Sequence, residues 1–200
     1  MIVITNPFFI EDEIQMLNSL FEEGLSLLHI RKPDFSALEM AQFINQIKLE
    51  FRNKVVLHNH HYLAEDFGVD RFHFSEKERK QNSDFPIRFS KPCKSNSTST
   101  HSIQDFNSLE NEFDYAFLSP IFKSISKENY HPKIDLFEAL KSKTNNKTKA
   151  IALGGINAEN IQKTLENGFD DVALLGSIWN NENPLEQFKL CQKIVHSYLQ

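Results

Sequence analysis

The chain has 200 residues, 40% of them hydrophobic and 24% charged, with a formal net charge of -5 at pH 7. That length suits one domain around one core, and only six glycines exclude a collagen-like or Gly-rich disordered chain. The acidic balance excludes a nucleic-acid partner, because nothing here would draw a polyanion.

Cys93 and Cys191 lie far apart with no CxxC partner, which fits reduced thiols rather than a disulfide framework. The start, MIVITNPFF, has no basic segment and runs into acidic residues, so it does not resemble a secretory signal. No apolar run approaches the roughly 20 residues that a bilayer crossing needs. The expected location is cytoplasmic, with no membrane partner; whether the chain forms a homo-oligomer is left open.

Short apolar runs alternate with amphipathic stretches along the whole length. Residues 2–5 read as a strand, followed by a helix with Ile14, Leu17, Leu20 and Phe21 on one face and Gly24 just past its end. Residues 27–30 form a second strand-like run that ends in Arg31 and Lys32. Ser36 and Glu39 then make a capping box for a helix containing Met40, Phe43, Ile44 and Ile47. Residues 55–57 and 71–74 are further strands, with a brief helix near 62–67 between them.

From 75 to 95 the sequence is polar and charged, with Pro86 and Pro92. Residues 96–100 are Ser/Thr-rich, and only their place between two regular units promotes them to a strand. A helix at 103–109, a strand at 115–118 and a long polar loop at 119–132 follow. The remainder reads as a helix from 135 to about 143, a strand at 150–153, a helix at 158–165 closed by Gly168, a strand at 172–175, and a last helix from Pro184 to Tyr198. Eight strand candidates, each followed by a helix or loop at about 25 residues per unit, predict a single-domain α/β chain of small (β/α)8 (TIM) barrel type. The competing open doubly wound sheet lacks a GxGxxG after its first strand.

In a parallel barrel, chemistry sits at the C-terminal ends of the strands. That rule selects Arg31 and Lys32, residues 59–61, 75–78, His101, 119–127, Gly154 with Gly155, and Gly176 with Ser177. The set is rich in cations, imidazoles, hydroxyls and glycines, which suits a small phosphorylated molecule. Glycines let backbone N–H groups approach an anion, although they also serve ordinary tight turns. An Arg fork suits bidentate phosphate contact, and an imidazole at His101 is placed to act as acid or base. His58, His60 and His61 fall within four residues, a cluster that could be a hydrogen-bonded loop or a metal site; no HExxH or CxxC accompanies it. Hydroxyls alternating along 119–126 and followed by Lys127 could wrap a diphosphate, on a loop able to close over substrate.

Taken in order, HIRKPD, HNHHYLAEDFGVDRFHFSEKE, STSTHS, DYAFLSPIFKSISK, ALGGI and DVALLGSIW resemble the motifs of the thiamine phosphate synthase/TenI family along nearly the whole chain. The resemblance implies a (β/α)8 barrel that joins hydroxymethylpyrimidine diphosphate to a thiazole phosphate, with release of diphosphate and help from Mg2+. It places Arg31, Asn59, Ser124, Ser126 and Lys127 on the diphosphate, and Gly154, Gly155, Gly176 and Ser177 on the thiazole phosphate. Its two magnesium carboxylates fall on His60 and Glu78, and a His nitrogen suits magnesium poorly. Pro33 stands where the family has Lys, and Ser119 where it has Gly. Two alternatives go with the resemblance: a metal-free thiazole tautomerase using His101, and a non-catalytic regulator that binds thiazole or thiamine phosphate. The implied partners are small phosphorylated heterocycles.

Overall fold

A computed structural model describes residues 1–81, 93–109, 112–122 and 135–198. Eight parallel strands close into a barrel in simple sequential order: β1 (Ile2–Ile4), β2 (Leu27–Ile30), β3 (Val55–Leu57), β4 (Arg71–Phe74), β5 (Ser95–Thr100), β6 (Tyr115–Leu118), β7 (Lys149–Leu153) and β8 (Asp171–Leu174). The ring closes through β1 and β8, where Ile2 pairs with Ala173. Around it run α1 (Glu13–Glu22), α2 (Ala37–Gln46), α3 (Ala64–Phe67), α4 (Glu76–Gln81), α5 (Ile103–Asn107), α6 (Leu136–Leu140), α7 (Ile161–Glu166), α8 (Gly176–Trp179) and α9 (Pro184–Tyr198). No described helix is long and apolar enough to cross a membrane.

The alternation of side chains along each strand divides the interior in two. Val3, Leu28, Leu57, Phe72, Ala116, Ala150 and Val172 face outward into a large core that they share with the helices. Ile2, Ile4, Tyr115, Phe117, Ile151 and Ala173 form a second, smaller cluster inside the ring. That inner cluster is apolar only on the β6–β8 and β1 side. On the β2–β5 side the lumen carries His29, His58, His73, Ser97 and Ser99, which bond to one another and to Tyr115.

The Ser/Thr-rich run at 95–100 is a strand in full register with β4 and β6. Its hydroxyls are satisfied by neighbouring main chain: Thr98 donates to Phe74 O at 2.8 Å and Thr100 to Phe117 O at 3.0 Å. A polar strand is therefore buried without orphan hydroxyls. The Ser36–Glu39 capping box forms as expected. Residues 76–81, a polar stretch with no apolar periodicity and no predicted element, form α4. Ser75 N–H and Oγ–H donate to Glu78 Oε2 at 2.8 and 2.6 Å, and Arg79 bonds Asp105 at 2.7 Å, so polar contacts replace apolar ones in holding it. Gly176 and Ser177 likewise open the short helix α8 instead of an extended loop.

Candidate active site

A cavity of about 590 Å³ opens at the C-terminal end of the barrel. Arg31, Glu78, His101, Gly154, Gly155 and Gly176 all line it. Residues drawn from five different strand ends thus converge as the barrel rule requires. A larger groove of about 1020 Å³ lies outside the barrel between α1 and α2. It is lined by α1, α2 and the segments leading into them and includes none of those glycine loops, so the smaller cavity is the candidate site.

Arg31 follows β2 with its main chain pinned by Thr5: its N–H donates to Thr5 Oγ1 at 2.9 Å, and that hydroxyl donates to Arg31 O at 3.3 Å. Its guanidinium has no partner among the described residues and is available to an anion. Lys32 takes the opposite direction. It is fully buried, 2.5 Å from Glu13 and 2.7 Å from Phe8 O, with the rings of Phe35 and Phe43 beneath its ammonium. The expectation of two adjacent cations at the site is corrected to one. Strand alternation sends neighbouring side chains to opposite faces, and Lys32 joins the outer layer. Burial pulls the Lys32 ammonium below and the Glu13 carboxyl above their ordinary pKa values, each opposed by the other's charge.

The glycine loop after β7 is shaped by backbone need. Gly154 has φ +100° and Gly155 φ +68°, and a Cβ on Gly154 would lie 3.0 Å from Pro120 Cα. Ile121 N–H donates to Leu153 O and Phe122 N–H to Gly154 O, both at 3.0 Å, which zips the loop after β6 onto the end of β7. Asn160 donates to Gly155 O at 3.0 Å and braces the other side. Gly176 lines the cavity, whereas Ser177 is buried beside it with an unpartnered hydroxyl.

His101 stands at the rim with half its side chain exposed. Its Nδ1–H donates to Ser119 O at 2.8 Å, which fixes the ring and leaves Nε2 towards Glu76, 3.7 Å away. Nε2 is thus the nitrogen free to exchange a proton with a ligand.

Asn59 and His60 are near but turned aside. Asn59 donates to Lys32 O at 3.1 Å, with its Oδ1 buried and unpaired. His60 sits in a left-handed conformation, φ +53°, and its Nε2–H donates to Phe35 O at 2.7 Å. Glu78 spends one carboxylate oxygen on the α4 cap. Magnesium prefers several oxygen ligands. The implied pair therefore supplies one partly committed carboxylate and one engaged imidazole, a poor fit to that ion. Ser124, Ser126 and Lys127 lie outside the described residues.

The lumen holds what the sequence left out: along the chain His58 stood out only with His60 and His61, whereas its actual neighbours are His29 and His73. His58, His73 and Ser99 line the bottom of the cavity, and His29, Ser97 and Tyr115 are buried among the lumen residues bonded to them. His29 Nδ1 and His58 Nε2 are 2.9 Å apart, and His29 Nε2 is 2.7 Å from the Tyr115 hydroxyl. The His58 and His73 rings stack with centroids 4.1 Å apart. Burial pushes all three well below the ordinary imidazole pKa, His73 to about 3, with positive neighbours adding to the effect. The signal was available: each imidazole occupies an inward position of a strand, or directly follows one, that otherwise reads as apolar.

Fold and cavity together define a (β/α)8 barrel with a cation and glycine loops around one pocket. Residues 1–178 match the family model described as thiamine monophosphate synthase, and the chain belongs to that family. Among curated relatives, a thiamine-phosphate synthase of Dictyoglomus thermophilum is 24% identical over 194 residues, covering 92% of this chain and 84% of that protein. One of Prochlorococcus marinus is 28% identical and also covers 92% of this chain, but the match spans only 52% of that longer protein. The crystal structure of thiamine phosphate pyrophosphorylase from Bacteroides thetaiotaomicron superposes with a TM-score of 0.75 at 30% identity, covering 98% of this chain and 97% of the other. A thiamine phosphate pyrophosphorylase from Pyrococcus furiosus gives a TM-score of 0.78 at 19% identity, covering 100% and 96%, and supports the fold alone.

Proposed function

We propose that this chain is a transferase that joins hydroxymethylpyrimidine diphosphate to thiazole phosphate and releases diphosphate. The C–O bond to the diphosphate breaks, its electron pair leaves with the diphosphate, and the thiazole nitrogen forms the new C–N bond to the pyrimidine methylene. The observation that carries this reading is the convergence of Arg31 with the Gly154–Gly155 and Gly176 loops on one cavity at the strand ends.

Charge leaves the reacting carbon on the diphosphate, so catalysis rests on groups that bind the departing anion more strongly than the bound substrate. Arg31 supplies a fixed fork for that charge. Ser124, Ser126 and Lys127 join it by the motif they resemble. Gly154 and Gly155 leave their backbone unshielded for the thiazole phosphate, with Gly176 and Ser177 opposite. His101 Nε2 faces the rim, where it can hold a proton for a phosphate oxygen. The apolar wall of Ile4, Phe117, Leu153 and Ala173 excludes water from the cation-like methylene. The relatives reported above carry the synthase name, which favours transfer over isomerisation.

The test is direct. Purified chain given both substrates, with and without magnesium, forms thiamine phosphate; no product at high enzyme concentration refutes the assignment. Arg31→Ala weakens diphosphate binding by about 1.5–3 kcal/mol, the range for hydrogen bonds to a charged group, or roughly tenfold to a hundredfold. Unchanged diphosphate affinity by calorimetry removes Arg31 from the site.

A further inference from the structure

We infer that the three lumen histidines, His29, His58 and His73, form a binding site for one borderline divalent transition ion of the Zn2+ class, on the floor of the cavity. One ring nitrogen from each lies within 4.8 Å of the others. No carboxylate belongs to the cluster, so its chemistry differs from the oxygen ligation that magnesium requires. Neutral imidazole suits zinc, cobalt or nickel.

The hydrogen bonds indicate which nitrogens are on offer. The Ser97 hydroxyl donates to Phe72 O at 3.2 Å, so it accepts from His73 Nδ1–H at 2.9 Å. The His73 lone pair is then on Nε2, now held by Ser99 at 3.0 Å. His29 Nε2 is anchored by Tyr115, which leaves Nδ1 facing His58 Nε2. Two nitrogens 2.9 Å apart share one proton, and a metal replaces it. A tetrahedral ion with bonds of about 2.0–2.1 Å holds its nitrogens about 3.3 Å apart. The His29–His58 pair needs to widen by about 0.4 Å, and His73 to close in from no more than 4.8 Å. The His58 and His73 rings, stacked at 25° with centroids 4.1 Å apart, must also tilt so that both lone pairs meet one ion.

The surroundings complete a site that is more than three nearby rings. Ser97 and Tyr115 fix the far nitrogens of His73 and His29, the role that outer hydrogen bonds play around metal-bound imidazoles. Burial keeps the rings neutral, with lone pairs available. His58 and His73 both line the cavity, so the fourth position of a three-His ion opens onto the space where Arg31 also waits for an anion. An ion there would offer that position to water or to a phosphate oxygen. The site stands on its own residues, independent of which reaction the cavity performs.

The experiment uses the tag-free full chain, stripped with chelator and titrated with Zn2+ by calorimetry and with Co2+ by visible absorption. One equivalent binds, and Co2+ gives the intense bands of a four-coordinate ion. His58→Ala and His73→Gln each weaken Zn2+ at least tenfold, Tyr115→Phe weakens it about tenfold, and His196→Ala on α9 leaves it unchanged. Nitrogen NMR of the wild-type histidines covers the case of a variant that fails to fold: Zn2+ shifts three rings and spares His101. Absence of saturable one-to-one binding, a weak six-coordinate Co2+ spectrum, or shifts confined to rim histidines overturns the proposal.

Discussion

Lowering the pH from 7.5 to 5.0 in the presence of chelator destabilises this barrel through its lumen. The perturbation acts on His73, whose folded-state pKa lies at about 3 because burial disfavours the imidazolium, with His61 and Arg31 adding repulsion. In the unfolded chain the same ring titrates near 6.5. A depressed folded pKa means that its contribution is fully present above about pH 6.5 and is lost as pH falls towards 3. Over that window the unfolded state holds one more proton, so stability drops by about 1.4 kcal/mol per pH unit. Integrated from pH 7.5 to 5.0, His73 alone costs about 2 kcal/mol. His29 and His58, also held well below the ordinary value by burial, shift stability in the same direction. Against a typical total of about 5–15 kcal/mol, that loss is large. The assay is urea unfolding at a series of pH values, with His73→Gln compared to wild type. The glutamine can still bond Ser97 and Ser99 but takes up no proton, so its stability profile is flatter by close to one proton. A wild-type midpoint that stays level between pH 7.5 and 5.0, or a variant with the same slope, refutes neutral buried imidazoles.

Two further outcomes concern the frame around the cavity. Gly154→Ala, which forces a Cβ onto a residue at φ +100° and against Pro120, costs at least about 1–3 kcal/mol and weakens phosphate binding; unfolding curves that match wild type refute the proposed backbone constraint. Lys32→Met strands the Glu13 carboxylate in the core and costs about 3–5 kcal/mol, whereas the double change Glu13→Gln with Lys32→Met loses less than the single; additive losses in a double-mutant cycle show that the pair is not coupled.

The fold was legible because seven of the eight strands are apolar runs with recognisable turns between them, and because strict β–α alternation leaves few topologies. The eighth, Ser95–Thr100, could not be recognised by hydrophobicity, since its burial is compensated by hydroxyl bonds to Phe72, Phe74 and Phe117 carbonyls. Those partners come from neighbouring strands and are invisible along the chain. α4 was missed for a related reason. Its sequence, EKERKQ, offers no apolar stripe, and the Ser75–Glu78 cap and the Arg79–Asp105 pair replace one.

At the site, the rim was legible and the floor was not, and Arg31 and Lys32 show why. Position after a strand is enough to place a residue near the cavity mouth, which is how Arg31, His101 and the glycines were found. Which way a side chain points depends on strand phase, and phase is ambiguous where both faces of a strand are buried. In β2, Leu28 and Ile30 face the helices, so His29 and Arg31 face the lumen and Lys32 returns to the outer layer. The same phase carries His58, just past β3, and His73, on β4, inward. Once one inward residue per strand is fixed, parallel register propagates it: His29 pairs with Val56, and His73 with Ser97. The polar half of the lumen therefore follows from register, a relation between strands that no single stretch of sequence contains.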